Sequence, residues 1–349
     1  MSYGALRGQG ASTRQVVLVL LAFAAVVLVA CGAGSKKGGG SSAGAKPDVL
    51  FLPKAVNIPY FDAAAKGAKQ AAGELNGKFK QVGPSQGTAA AQIPFINNAT
   101  GQKVQSLAIA GNDPNAVAPA LKRAEKAGVK VISWDSDVAP AARKVFVNQT
   151  TGPAIAKAQF ESMAKQMNNK GQFAILSSFP TATNQNTWIK LMKAELKQPK
   201  YSGMKLVKVV YGEEDDQKSF TEAQGLLRAY PGLKGIISPM TVGPPATARA
   251  VASAGKGGKI AIDGLALPSD MRKYVKDGTV KEFMLWNVPD LGYLAYYAAA
   301  AYAKGQITGK EGDTFKAGHL GQRKVGKNGE VVLGPPLVFS KSNIDKYKF

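Results

Sequence analysis

From Val49 onward the chain alternates between two hydrophobic periods, and this restricts its fold more than any other feature. Short β-type runs are each followed by an amphipathic helical run, and the cycle then restarts. Val49–Leu52 reads as a first strand, 60–75 as a helix, 79–82 as a weaker strand and 89–99 as a helix. Strands at 106–110 and 130–134 flank a helix at 116–127, with Gly128 where a helix-terminating glycine belongs. The second round has helices at 155–167, 186–196, 219–229, 245–254, 269–277 and 290–304. Its strands are 173–177, 206–211, 235–238, 260–262 and 282–286. Such alternation predicts parallel sheets covered by helices on both faces, and the length predicts two such α/β units.

The N-terminus has a different character. Arg7 and Arg14 precede an apolar run, Val16 to Ala30, that ends in Leu28-Val29-Ala30-Cys31. A positive start, an apolar core and small residues describe a secretory signal over residues 1–30. The run is shorter than the roughly 20 residues of a spanning helix. Its last four residues resemble a bacterial lipobox, in which the cysteine becomes the lipidated first residue. Residues 31–46, rich in Gly, Ser and Lys, have nothing to bury and are expected to form a disordered linker. The expectation is an exported body tethered through Cys31. As the only cysteine of the 349 residues, it leaves no intrachain disulfide to form.

Composition narrows the function. A net charge of +22 raises nucleic acid as a partner. The lysines are nevertheless spread over the whole chain without an Arg-rich run or aromatic interleaving, as on solvated faces, so no nucleic-acid partner is expected. The single histidine, His319, in a Gly-rich segment, would have to serve any Ser-His-Asp triad or His-containing zinc site, and reads as a surface loop residue. The acidic run Glu213-Glu214-Asp215-Asp216 follows a strand and precedes a helix, where acids favour the helix N-terminus and solvent. No P-loop ending is present, and Gly255-Lys256-Gly257-Gly258 precedes a strand instead of following one. No catalytic residue, metal or cofactor is therefore expected.

Ligands of open α/β sheets bind beyond the C-terminal ends of strands. The segments there contain Lys54 to Asp62, Ser133-Trp134-Asp135-Ser136-Asp137, Thr183-Asn184-Gln185-Asn186, Pro239-Met240-Thr241 and Trp286-Asn287-Val288-Pro289. In this order they resemble the sugar-binding proteins of bacterial ABC importers. The branch they are most similar to holds the rhamnose-binding and autoinducer-2-binding proteins, and the likeness runs from about Asp48 to Phe349. The resemblance implies the type I periplasmic-binding-protein fold: two doubly wound parallel-sheet lobes joined by a three-crossing hinge. The first lobe would take 47–148 plus 288–333, and the second 149–287 plus 334–349, with crossings near Asn148, Asn287 and Gly334. It also implies a monomer that hands its ligand to a membrane permease.

Sugar hydroxyls both donate and accept, and their C–H faces are apolar, so a closed cleft needs carboxylates, amides, a cation and aromatic planes. On the resemblance, Lys54 is the cationic donor and Asp135 the acceptor of paired hydroxyls. Asn184, Gln185 and Asn287 are two-way partners, Pro239 and Thr241 contact ligand partly through backbone, and Tyr60 and Phe61 form an apolar wall with Trp134 or Trp286. Asn184 and Gln185 also read as helix caps, Asp137 points away from Asp135, and tryptophans at 134, 188 and 286 each suit a core. In the autoinducer-2 branch the residues matching Asn184 and Thr241 are commonly aspartate and alanine, so this chain is more similar to the rhamnose branch. Autoinducer-2 reception and sugar sensing without transport are the alternatives. A regulator of the same fold would carry an N-terminal helix-turn-helix in place of the signal. A sugar-modifying enzyme would need a carboxylate pair at a cleft.

Overall fold

The computed structural model describes residues 46–349; the signal, Cys31 and most of the linker fall outside them. The first half of the alternation forms β1 (Asp48–Leu52), α1 (Pro59–Glu74), β2 (Lys78–Gln81), α2 (Ala89–Gly101), β3 (Ser106–Ile109), α3 (Pro114–Lys126), β4 (Lys130–Trp134) and β5 (Val145–Asn148). The second half forms α4 (Gly152–Gln166), β6 (Lys170–Ser177), α5 (Thr183–Glu195), β7 (Gly203–Tyr211), α6 (Asp216–Ala229), β8 (Leu233–Ser238), α7 (Gly243–Ser253), β9 (Ala261–Gly264), α8 (Pro268–Lys276) and β10 (Glu282–Leu285). A long helix, α9 (Val288–Ala303), then leads to β11 (Thr314–Lys316), β12 (Gln322–Lys324), β13 (Glu330–Val332) and β14 (Leu337–Ser340).

The strands assemble into two main sheets. The first, ordered β13-β5-β4-β3-β1-β2, is parallel throughout. The second, β7-β6-β8-β9, is also parallel. Beyond β9 the antiparallel pair β10–β14 joins through one parallel bridge, Leu265 to Met284. Both sheets share one plan: the opening strand is second from one edge, and the order reverses beside it. Crevices at such switch points are where ligands of doubly wound sheets lie. The chain passes from the first sheet to the second between Asn148 and Gly152. It returns between Leu285 and Val288, and crosses again between Val332 and Leu337.

The predicted elements and the observed ones coincide in type, with ends that differ by a few residues. Gly128 has a φ of 97° just past α3, as a helix-terminating glycine should. Two strands of the first sheet, β5 and β13, were not anticipated from hydrophobic period. Each is only three or four residues long, and its pattern of burial becomes visible only beside its parallel neighbour.

Helices cover both faces of each sheet. In the first lobe α1 and α9 pack together on one face, and α2 and α3 on the other. Contact between α1 and α9 depends on two glycines. A side chain on Gly67 would collide with the Pro289 carbonyl, and one on Gly292 with the Ala64 carbonyl. Removing both Cβ atoms lets the backbones touch, and this fixes α9, whose N-terminus lies beside the cleft. In the second lobe α4 and α5 lie on one face, with α6 and α7 on the other. Among the described residues, no helix is long and apolar enough to cross a membrane.

Candidate functional site

A narrow cavity, about 30 Å3 in volume, lies where strand C-termini of both sheets converge. Its walls take Lys54, Ile58, Tyr60 and Phe61 from the loop after β1 and the start of α1, and Asp135 from the end of β4. The second lobe supplies Asn184, Gln185 and Trp188 from α5, Glu214 after β7, Pro239, Met240 and Thr241 after β8, Leu265 after β9 and Trp286 after β10.

Lys54 is 2% exposed, which is unusual for a lysine and requires polar partners. It has them across the cavity: its Nζ donates to Asn184 Oδ1 at 3.1 Å and Gln185 Oε1 at 3.3 Å. The amides accept in the first turn of α5, which begins at Thr183, so neither occupies the cap position. These bonds join the two lobes directly.

Opposite them runs a second polar chain. Trp286 Nε1 donates to the Tyr60 hydroxyl at 3.1 Å, and that hydroxyl donates to Asp135 Oδ1 at 2.6 Å. Burial raises the Asp135 carboxyl above its usual range, while Lys54 and the Tyr60 bond pull it back. Burial and the neighbouring Asp135 both push the Tyr60 phenol well up, so it remains a donor. Asp135 has a φ of 60°, a left-handed conformation that aspartate tolerates better than most side chains. Ring planes complete the wall. Tyr60 meets Phe61 and Trp286 edge to face with centroids 5.1 and 6.1 Å apart, and Trp188 lies 6.3 Å from Trp286. Such a mix of C–H-binding planes and two-way polar groups matches a ring that carries hydroxyls.

Eight of the nine expected ligand-facing residues line this cavity: Lys54, Tyr60, Phe61, Asp135, Asn184, Gln185, Pro239 and Thr241. Asn287 is elsewhere. Its Oδ1 accepts from the Asp290 amide at 3.2 Å and caps α9, because the chain turns directly into that helix. Asp137 faces away from the cavity, paired with Arg143 at 2.6 Å. Trp134 is core, its Nε1 donating to the Ala108 carbonyl at 3.2 Å. His319 is a part-exposed residue bonded to Asp290 at 2.9 Å.

Six further residues line the cavity, Ile58, Trp188, Glu214, Met240, Leu265 and Trp286, of which the sequence offered only Trp286, as an alternative wall. Trp188 and Trp286 suited a core equally well, and they are in fact buried. Glu214 was read with its neighbours as a solvated acid, but its residue lines the cavity, and burial raises its carboxyl despite the nearby Lys54. Only part of the expectation holds for this acidic run: Asp215 caps α6, its Oδ1 accepting from the Lys218 amide at 2.6 Å. Among the described residues, no group of three or more His, Cys, Asp or Glu is placed to hold a metal ion.

The family profile described as a periplasmic binding protein domain matches residues 49–307, most of the chain. The chain belongs to that family. Among solved structures, a sugar ABC transporter protein of Actinomyces odontolyticus is 46% identical, with a TM-score of 0.71 over 87% of this chain and 98% of its own. An ABC transporter solute-binding protein from Clostridium phytofermentas, solved with L-rhamnose, is 36% identical with a TM-score of 0.84 over the same shares. LsrB of Clostridium saccharobutylicum, in complex with autoinducer-2, is 27% identical with a TM-score of 0.81, over 86% of this chain and 99% of its own. The chain is thus a solute-binding protein of the sugar ABC transporter type and not an enzyme.

Proposed function

We propose that this protein captures a neutral monosaccharide or deoxysugar of the rhamnose type and delivers it to an ABC importer from outside the membrane. The observation that carries this reading is the cavity's polar ring. One buried ammonium, two amides and a carboxyl from opposite lobes converge on the interlobe cavity, beside aromatic rings set edge to face. The 36% identity to a protein holding L-rhamnose supports the sugar class. The amide at Asn184 and hydroxyl at Thr241 support it over autoinducer-2, whose receptors commonly carry aspartate and alanine there.

In this reading the two lobes, 47–148 plus 288–333 and 149–287 plus 334–349, rotate about the three chain passages and close on the ligand. Lys54 and its two amide partners hold the closed form, which the permease then recognises. Cys31, lipidated after removal of residues 1–30, keeps the monomeric receptor at the membrane. The test is a thermal-shift screen over monosaccharides, deoxysugars and polyols, followed by competition calorimetry with L-rhamnose, D-ribose and autoinducer-2. Tight binding of autoinducer-2 without competition from any sugar would reverse the choice of ligand and leave the receptor role intact.

A further inference from the structure

Two residues line the interlobe cavity and also both grooves that flank it: Ile58 from the first lobe and Glu214 from the second. They therefore form the partition between the cavity and the outside. Glu214 is set there by two successive left-handed residues, Glu213 at a φ of 55° and Glu214 at 56°, which turn the chain sharply after β7. It shares the cavity lining with Lys54 from the loop after β1, Asp135 beyond β4 and Tyr60 from α1, whose charges act on one another there.

The other charges near this mouth are turned outward and occupied. Glu213 pairs with Lys218 at 2.6 Å, and Asp216 with Arg249 at 2.7 Å. Asp215 caps its own helix, while Asp270 and Lys273 line only the outer groove. Inside, one ammonium meets two carboxyls. Closing the lobes with both acids ionised would strand a negative charge away from water, which is far costlier than retaining a proton. Asp135 already accepts from Tyr60 at 2.6 Å, a bond that favours its ionised form. The retained proton therefore belongs on Glu214, where burial and the Asp135 charge both oppose ionisation. A neutral carboxyl can donate as well as accept, unlike a carboxylate.

We propose that Glu214 is a ligand-contacting specificity residue which seals the cavity opposite Ile58 and donates a hydrogen bond to a ligand oxygen as a neutral acid, so that capture of a neutral polyhydroxylated ligand takes up one proton. The inference rests on the sugar-receptor reading. Calorimetry with L-rhamnose, and in parallel D-ribose and D-arabinose, tests it on the mature protein from about pH 4.5 to about pH 8, in buffers of different ionisation enthalpy. Wild-type affinity falls by up to about tenfold per pH unit above the ordinary glutamate range, with close to one proton taken up per ligand. Glu214→Gln, a neutral donor at every pH, binds within about threefold of the wild type at the acid end and shows a flat profile. Glu214→Ala binds about tenfold weaker or worse. Asp135→Asn leaves Lys54 facing a single carboxyl, so Glu214 can stay ionised in the complex, and both the slope and the proton uptake fall. A flat wild-type profile, or a Glu214→Gln protein with the wild-type slope and proton uptake, overturns the inference and leaves the receptor standing. If none of the three sugars binds the wild type at any pH, both fall.

Discussion

Replacing Lys54 with methionine keeps a flexible stem of similar length and deletes the one ammonium that, among the described residues, lines the cavity. Two bonds from Nζ to Asn184 and Gln185 disappear, at 3.1 and 3.3 Å. A hydrogen bond from a charged donor contributes roughly 1.5–3 kcal/mol. Both bonds leave one nitrogen and are on the long side, so their sum is taken as about 2–4 kcal/mol instead of twice the single value. These contacts span the lobes, so on the proposed closure of the cleft the loss falls on the closed complex. At about 1.4 kcal/mol per decade, L-rhamnose binding should weaken between about 30-fold and about 700-fold. The deletion also strips Asp135 and Glu214 of their compensating charge. Their carboxyls should then hold protons more tightly, and the deficit should narrow at acid pH. Calorimetry at two pH values, with ligand-free melting as the folding control, decides it. Affinity within about threefold of the wild type, with normal melting, would refute the role given to Lys54.

Asn184→Asp should cost the preferred sugar about tenfold in competition calorimetry, since an ionised carboxylate can no longer donate to a ligand oxygen. Gly292→Ala should destabilise the ligand-free protein by roughly 1–3 kcal/mol in urea titrations, because the new methyl meets the Ala64 carbonyl and α9 cannot retreat without leaving α1. Mass spectrometry of the native mature protein should find Cys31 at the N-terminus carrying lipid, and a membrane-associated form that begins at an unmodified Met1 would exclude the anchor. A buried carboxyl gives a pH prediction. Burial pushes Asp263 well above the aspartate range, against the bonds it accepts from Ser162, Gln166 and the Gly264 amide. The folded state therefore binds more protons than the unfolded one, and stability declines as pH rises from the ordinary aspartate range through the raised value. Asp263→Asn should flatten that decline in urea titrations at several pH values.

The alternation of periods made the layered architecture legible because each element buries one face of its own, as β1, α1, β3 and α3 all do. Short edge strands such as β5 and β13 acquire their identity from pairing, and their own residues do not announce it. In the site, residues were legible where their type is rare after a strand: a lysine after β1, an aspartate ending β4, two amides opening α5. Asn287 failed that rule because an asparagine before Val288-Pro289 also suits a helix start, and the helix took it. Glu214 failed for the opposite reason. A run of four acids has the composition of a solvated surface, and only the left-handed turn at Glu213 and Glu214 separates the one that enters from those that face water.

Backbone conformation carries the same distinction across the molecule. Nine non-glycine residues among those described have positive φ. Asn76, Lys103, Asn168 and Asn169 directly follow helix ends, where the left-handed turn is the ordinary way to stop a helix. Asn57, Asp135, Glu213 and Glu214 instead sit beyond β1, β4 and β7, at the edges of the two sheets that face the cleft. Each such residue costs about 1–2 kcal/mol, and it persists only when its surroundings fix it. The constraint at Asp135 is visible: its amide donates to the Val147 carbonyl at 3.1 Å, and its carboxylate accepts from Tyr60. The two cavity acids are thus held in conformations that relaxed loops would leave. Asparagine tolerates the left-handed region about as well as aspartate. Asp135→Asn therefore isolates the carboxylate's charge from the shape of the turn, whereas Asp135→Ala changes both and would overstate what the charge contributes.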